Sequence, residues 1–228
     1  MIGFDKYEIN NLLYLSLPLT EGVGAIANDI SKLQYAAALN GPPTWENVAL
    51  SGCPYLDFDS TTPDWLECPA ADALLNFTAG DFTLLAWVWL DDLSANRCIF
   101  CRGLLDTDGY HCEVLINGSI VLYTNQAAAS QSSSSAAASV ATGAWYLVGF
   151  TREGDSVKCY NNGSDVTDTI GTHIDPLTSA RDLHIGIYDN ETGSPWEGRM
   201  WNPRIWARTS PPEEMRMIWN YEKVLFGV

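Results

Sequence analysis

The sequence predicts an all-β domain, either a two-sheet antiparallel sandwich or a closed barrel, and three observations lead there. Short apolar or alternating runs of strand length recur between turn signals along the chain. Asn117-Gly118 and Asn162-Gly163 sit between such runs, where a tight turn needs the positive φ that Asn and Gly tolerate cheaply. Helix start signals gather at one place only, near the C-terminus. Many short strands within 228 residues leave these two architectures.

The strand-like runs are 12–19, 55–59, 65–68, 81–90, 98–102, 110–116 and 120–125, then 144–152, 157–161, 182–188 and 200–208. Alternation places Phe82, Leu84, Ala86 and Val88 on one face of a strand and Leu85, Trp87 and Trp89 on the other, so this strand is predicted to be central. Residues 127–141 are almost only Ala and Ser, and read as a surface loop or weak edge strand, with contact to another subunit left open. Ser210 supplies an N-cap, Pro211 and Pro212 a first turn and Glu213 a capping box; Met215, Ile218 and Trp219 form an apolar stripe, predicting a helix to about Lys223. Strand signals continue in one style throughout, which predicts one domain over residues 1–228.

Twelve Lys and Arg against 28 Asp and Glu give a formal charge of −16. That sign repels DNA, RNA and anionic lipid, so no nucleic acid is expected as a partner. Aromatic residues at 11% argue against disorder. No apolar run approaches the ~18 residues that cross a bilayer, and no membrane insertion is expected. The start, Met1-Ile2-Gly3-Phe4-Asp5-Lys6, lacks the regions of a secretory signal, so the chain is expected to fold in cytosol. The six cysteines (Cys53, Cys68, Cys98, Cys101, Cys112 and Cys159) are then expected as reduced, mostly buried thiols.

Several fragments fall in the order of a known family. Leu13-Tyr14-Leu15-Ser16-Leu17-Pro18-Leu19 with Asn28-Asp29-Ile30-Ser31 resembles the opening of laminin-G-like domains in the concanavalin A-like lectin/glucanase superfamily. Tyr55-Leu56-Asp57-Phe58-Asp59, Phe82-Thr83-Leu84-Leu85-Ala86-Trp87-Val88 and Trp145-Tyr146-Leu147-Val148 are similar to its later strands. So are Tyr160-Asn161-Asn162-Gly163, Leu183-His184-Ile185-Gly186 and the closing Trp196-Glu197-Gly198-Arg199-Met200 through Arg204-Ile205-Trp206. The resemblance implies a jelly roll of two antiparallel sheets. It also implies calcium as the metal, with Glu21, Asp29 and Glu197 as candidate ligands, although Trp201 stands where the family commonly has an acidic residue.

Glucanases of that superfamily use a Glu-x-Asp-x-Glu type strand, and this chain has no such run; Asp57 and Asp59 are read as a structural or surface pair. No Gly-x-Ser-x-Gly elbow is present, and His111, His173 and His184 sit in unrelated segments, against a hydrolytic triad. Cys98-Ile99-Phe100-Cys101 with His111-Cys112 offers soft ligands, but on a regular strand Cys98 and Cys101 point to opposite faces and zinc is disfavoured. Among the tryptophans able to stack on sugars, Trp201 is the expected exposed contact residue. Asp106 and Asp108 at a hairpin tip, with Asp189 and Asn190 in a later loop, are expected to rim the site.

These observations favour a non-enzymatic, lectin-like binding or structural protein, associated with a virion as capsid decoration or as part of a tail or fibre. The expected partners are other virion or capsid proteins, a second copy of the chain, or a cell-surface glycan. Two alternatives stay open: a divergent glycan hydrolase with two carboxylates about 5–9 Å apart, and an extracellular adhesion module with disulfides such as Cys53–Cys68 or Cys101–Cys112.

Overall fold

Two-sided burial of the longest strand fixes the layering. Along Phe82–Leu90 the side chains alternate between the space between two sheets and the opposite face, and both are covered. The computed structural model of the chain describes residues 8–69, 73–189 and 191–228.

In chain order the strands are β1 (Leu13–Ser16), β2 (Ile26–Asn28), β3 (Ala36–Asn40), β4 (Thr44–Asn47), β5 (Pro54–Phe58), β6 (Trp65–Cys68), β7 (Phe82–Leu90), β8 (Arg97–Leu104) and β9 (Asp108–Val114). They continue with β10 (Ile120–Gln126), β11 (Ala129–Ser135), β12 (Trp145–Glu153), β13 (Ser156–Asn161), β14 (Ser164–Asp165), β15 (Thr167–Thr169), β16 (Leu183–Ile185) and β17 (Gly198–Trp206). One sheet has the order β14-β13-β12-β7-β17-β5-β4, with β1 also on β17; the other runs β15-β11-β10-β9-β8-β16-β6-β3-β2. All pairings within the two sheets are antiparallel. The inner faces share one core that includes Leu84, Phe100, Leu122, Phe150, Ile185 and Met200. The fold is a two-sheet antiparallel jelly-roll sandwich with one C-terminal helix, as the sequence predicts.

The Asn162-Gly163 turn joins β13 to β14 with φ of 52° and 76°. A Cβ on Gly163 would lie 2.9 Å from Arg216 Cα, so this hairpin tip packs directly on the C-terminal helix. The Ala/Ser-rich segment departs from expectation. Its β11 pairs with β10 over six positions and is flanked by β15, so it is not the sheet edge. Ser133 is buried there and its hydroxyl meets His173 Nε2 at 2.9 Å, while Thr124 Oγ1 meets Nδ1 at 2.9 Å.

Helix α1 (Pro212–Glu222) carries the expected stripe but starts differently. Its N-cap is Pro211 without a side-chain cap, because Ser210 is used elsewhere: its backbone N–H donates to Thr83 Oγ1 at 2.8 Å and its hydroxyl accepts from Arg208. The helix lies across the outer side of the eight-stranded sheet. Trp219 stacks on Trp87 at 5.2 Å, and Glu222 accepts from the Trp87 indole at 2.8 Å and from both terminal nitrogens of Arg204 at 2.8 Å. This sheet therefore has its central outer surface closed by the C-terminal segment.

Candidate functional site

The nine-stranded sheet turns a polar and aromatic row outward. Register aligns Ser132, Tyr123, His111, Cys101, His184 and Glu67 across β11, β10, β9, β8, β16 and β6. Their strand neighbours Leu122, Cys112, Phe100, Ile185 and Leu66 belong to the core, so alternation alone sends the row to the other face.

A strap after β16 crosses part of this face. It is closed on itself by Trp196 N–H donating to the Gly186 carbonyl (2.7 Å) and Tyr188 N–H to the Gly193 carbonyl (2.9 Å). It is tied to β8 by Cys98 N–H donating to the Ser194 carbonyl at 2.8 Å. Tyr188 stands edge-on to His111 at 5.0 Å, and its hydroxyl accepts from Leu105 N–H at 2.6 Å. His111 also stacks on Tyr123 at 4.4 Å, and burial pushes its imidazole down to about 3, so it is neutral near pH 7. Burial likewise raises the Glu113 carboxyl, with a Ser194 hydrogen bond opposing it, and pushes Tyr188 up to about 12.

The expected opposition of Cys98 and Cys101 is corrected. A β-bulge between Cys98 and Phe100 shifts the register, so Cys98 opposes Glu113 and Cys101 opposes His111, and both thiols share the outer side. Both are fully buried, Cys101 Sγ donates to the Gly103 carbonyl at 3.1 Å, and burial holds the Cys98 thiol well above its ordinary value. Cys112 points into the core, so Cys101 and Cys112 lie on opposite sides of the sheet and cannot be bridged as an adhesion-module pairing would require. All six thiols are free.

Past the strap, the row ends in a half-buried group. Trp65 lies edge-on to His184 at 6.4 Å, with its indole N–H 3.5 Å from Glu67 Oε2. His184 is 3% exposed. The strap returns Glu191 so that ligand atoms of Glu67, His184 and Glu191 lie within 4.8 Å of one another. Residues 67, 184 and 191 are brought together by the β6–β16 register and by the strap turn, where Glu191 has φ of 56° and donates its N–H to the Tyr188 carbonyl.

The sequence candidates distribute unevenly around this face. Asp108 and Asp189 do converge: Arg181 Nε donates to Asp108 Oδ1 at 3.3 Å and its Nη1 to Asp189 Oδ2, which raises the guanidinium above its usual value. Asp106 accepts from Ser130 Oγ at 2.7 Å across the neighbouring hairpin. Asn190 lies outside the described residues.

Trp201 is a correction: it is 8% exposed, on the helix-covered sheet, with Phe226 against it at 5.5 Å. The residues that follow α1 close over it, and the strand pattern alone carries no sign of that cover. Trp65 is the half-buried indole on the open face instead.

The calcium set does not assemble. Asp29 uses both oxygens, accepting from Ser16 N–H, Ser31 N–H, the Ser31 hydroxyl and Tyr35 N–H at 2.6–3.0 Å. Glu21 accepts from Asn28 N–H and Nδ2, while Glu197 accepts from Ser60 N–H and hydroxyl. Among the described residues these three do not form a ligand cluster, so the residues present do not fit the family's calcium.

The comparisons accord with this architecture. A family model described as the concanavalin A-like lectin/glucanases superfamily matches residues 61–216. A botulinum neurotoxin type C structure concerned with interaction with two ganglioside molecules superposes with a TM-score of 0.68 at 17% identity, over 94% of this chain and 52% of that one. The binding domain of Paraclostridial Mosquitocidal Protein 1 gives 0.68 at 14% identity, over 93% and 53%. The binding domain of botulinum neurotoxin DC in complex with rat synaptotagmin II gives 0.68 at 14%, over 93% and 52%. The chain spans about half the length of these structures. No curated protein matches it. Among the described residues no helix is long and apolar enough to cross a membrane.

Proposed function

Because the chain belongs to the concanavalin A-like lectin/glucanases superfamily, we propose that it is a non-enzymatic, lectin-like binding module whose target is an uncharged sugar ring of a cell-surface glycan. The observation that carries this is Trp65, a half-buried indole on the open sheet face with the Glu67 carboxylate beside it. A sugar ring offers an apolar face to an aromatic ring and hydroxyls to a carboxylate, and this pairing supplies both. The charge of −16 favours an uncharged glycan over an acidic one. Ganglioside and protein targets named for the similar toxin structures support a role in recognition.

The reading as a binder and not a hydrolase is supported by the carboxylates of this face. Glu67 and Glu191 present ligand atoms within 4.8 Å of each other and of a His184 nitrogen, closer than the roughly 6.5–9.5 Å an inverting pair needs to admit water, and the sequence has no Glu-x-Asp-x-Glu strand of the kind the superfamily's glucanases use. The virion setting belongs to the same proposal and rests on the sequence reasoning; copurification of the chain with an assembled particle tests it. The binding test is a set of immobilised neutral and sialylated oligosaccharides probed with the full chain and with Trp65→Ala. Binding to neutral glycans that weakens about tenfold or more in the variant supports the proposal. Failure to bind any glycan, or binding untouched by the substitution, overturns it.

A further inference from the structure

The cluster at the end of the outward row has a property that sugar binding does not use. His184 is 3% exposed, yet neither ring nitrogen has a hydrogen-bond partner. A buried imidazole ordinarily satisfies at least one nitrogen, as His173 does with Thr124 and Ser133. His184 Nε2 instead faces Glu67 Oε2 at 3.7 Å, too far for a hydrogen bond. Two ligand atoms on one tetrahedral zinc ion, each about 2.1 Å from it, stand about 3.4 Å apart. The spacing thus suits two groups sharing an ion better than two groups bonded to each other. Glu191 brings a third ligand atom within 4.8 Å of both.

We propose that Glu67, His184 and Glu191 form a binding site for a borderline divalent transition ion of the zinc class. An imidazole with two carboxylates discriminates against Ca²⁺ and Mg²⁺, which take oxygen ligands in larger number, and in favour of Zn²⁺ or a similar imidazole-binding ion such as Ni²⁺. Three protein ligands leave at least one position for water or an oxygen of a bound partner. Glu67 and His184 stand on paired strands while Glu191 stands on the strap, so the ion cross-links the strap to the sheet. The Trp65 indole N–H lies 3.5 Å from the same Glu67 Oε2 that faces His184, which helps hold that oxygen beside the imidazole.

The test titrates chelator-treated full chain with zinc chloride by calorimetry and uses Co²⁺ absorption to report the donor atoms. The expected result is one ion per chain, Ca²⁺ binding far more weakly, and no thiolate-to-cobalt charge-transfer band. His184→Gln and Glu191→Gln each weaken binding by at least about tenfold. Glu191 is exposed, so its variant keeps the fold even where His184→Gln does not. No single-site zinc binding, binding that survives Glu191→Gln, a thiolate band, or Ca²⁺ binding as tight as Zn²⁺ each overturns the site. Since the probe is the metal alone, failure here leaves the glycan reading to its own test.

Discussion

Replacing Glu222 by Gln removes a charge from beneath the C-terminal helix while preserving its shape. Glu222 holds Arg204 through two hydrogen bonds of 2.8 Å, with the two side chains only 6% and 7% exposed, and accepts from the Trp87 indole at 2.8 Å. The amide oxygen of Gln still accepts from Trp87, so the substitution isolates the ion pair. It leaves the Arg204 guanidinium buried and uncompensated, which costs about 3–5 kcal/mol. For a domain of this length that lowers Tm by about 6–20 °C. Urea unfolding followed by tryptophan fluorescence gives the cost directly, with the m-value unchanged when the native surface is kept. The double variant Arg204→Met, Glu222→Leu removes both charges and is expected to be more stable than Glu222→Gln alone, because no orphaned charge remains. A cost below about 1 kcal/mol for Glu222→Gln, or a double variant less stable than either single change, refutes the buried lock.

Three further outcomes follow from the same structure. Burial pushes His111 down to about 3 and His173 to about 4, so below pH 6.5 the unfolded chain takes up protons that the folded chain refuses. Their contribution is complete above about pH 6.5 and is lost as pH falls toward those values, at about 1.4 kcal/mol per pH unit for each. His111→Gln should reduce the slope of stability between pH 6 and 5 by about one proton, and an unchanged slope contradicts the buried neutral state. Gly163→Ala combines a φ of 76° with a Cβ 2.9 Å from Arg216 Cα, so chemical denaturation should register a loss of about 1–3 kcal/mol; a neutral effect would mean the hairpin does not seat on the helix. Trp201→Ala should cost about 3–5 kcal/mol by opening a cavity under Phe226 while leaving the glycan dissociation constant unchanged at temperatures where the variant is folded.

What was legible in the sequence is what depends on near neighbours. The alternation of Phe82 to Leu90, the Asn162-Gly163 turn and the apolar stripe of Met215, Ile218 and Trp219 each act within one element, and each appears where expected. The errors arise where a distant segment intervenes. Trp201 has the pattern of an outward residue and is outward, but Phe226 covers it, and cover depends on where the C-terminal segment lands. Cys98 and Cys101 follow strand parity until one extra residue at the bulge reverses it. The Glu67, His184 and Glu191 group was not anticipated because strand pairing across more than a hundred residues creates it. A local signal was present: Glu67 and His184 are polar residues flanked by apolar neighbours in Leu66-Glu67-Cys68 and Leu183-His184-Ile185, which marks both as outward-facing.

The central claim is that the open face of the nine-stranded sheet recognises a glycan while the helix-covered sheet does not. The most direct measurement compares binding of the full chain, Trp65→Ala and Trp201→Ala to one immobilised neutral oligosaccharide by surface plasmon resonance. The account predicts loss of affinity for Trp65→Ala alone; loss for Trp201→Ala with Trp65→Ala unaffected would place recognition on the wrong sheet and contradict it.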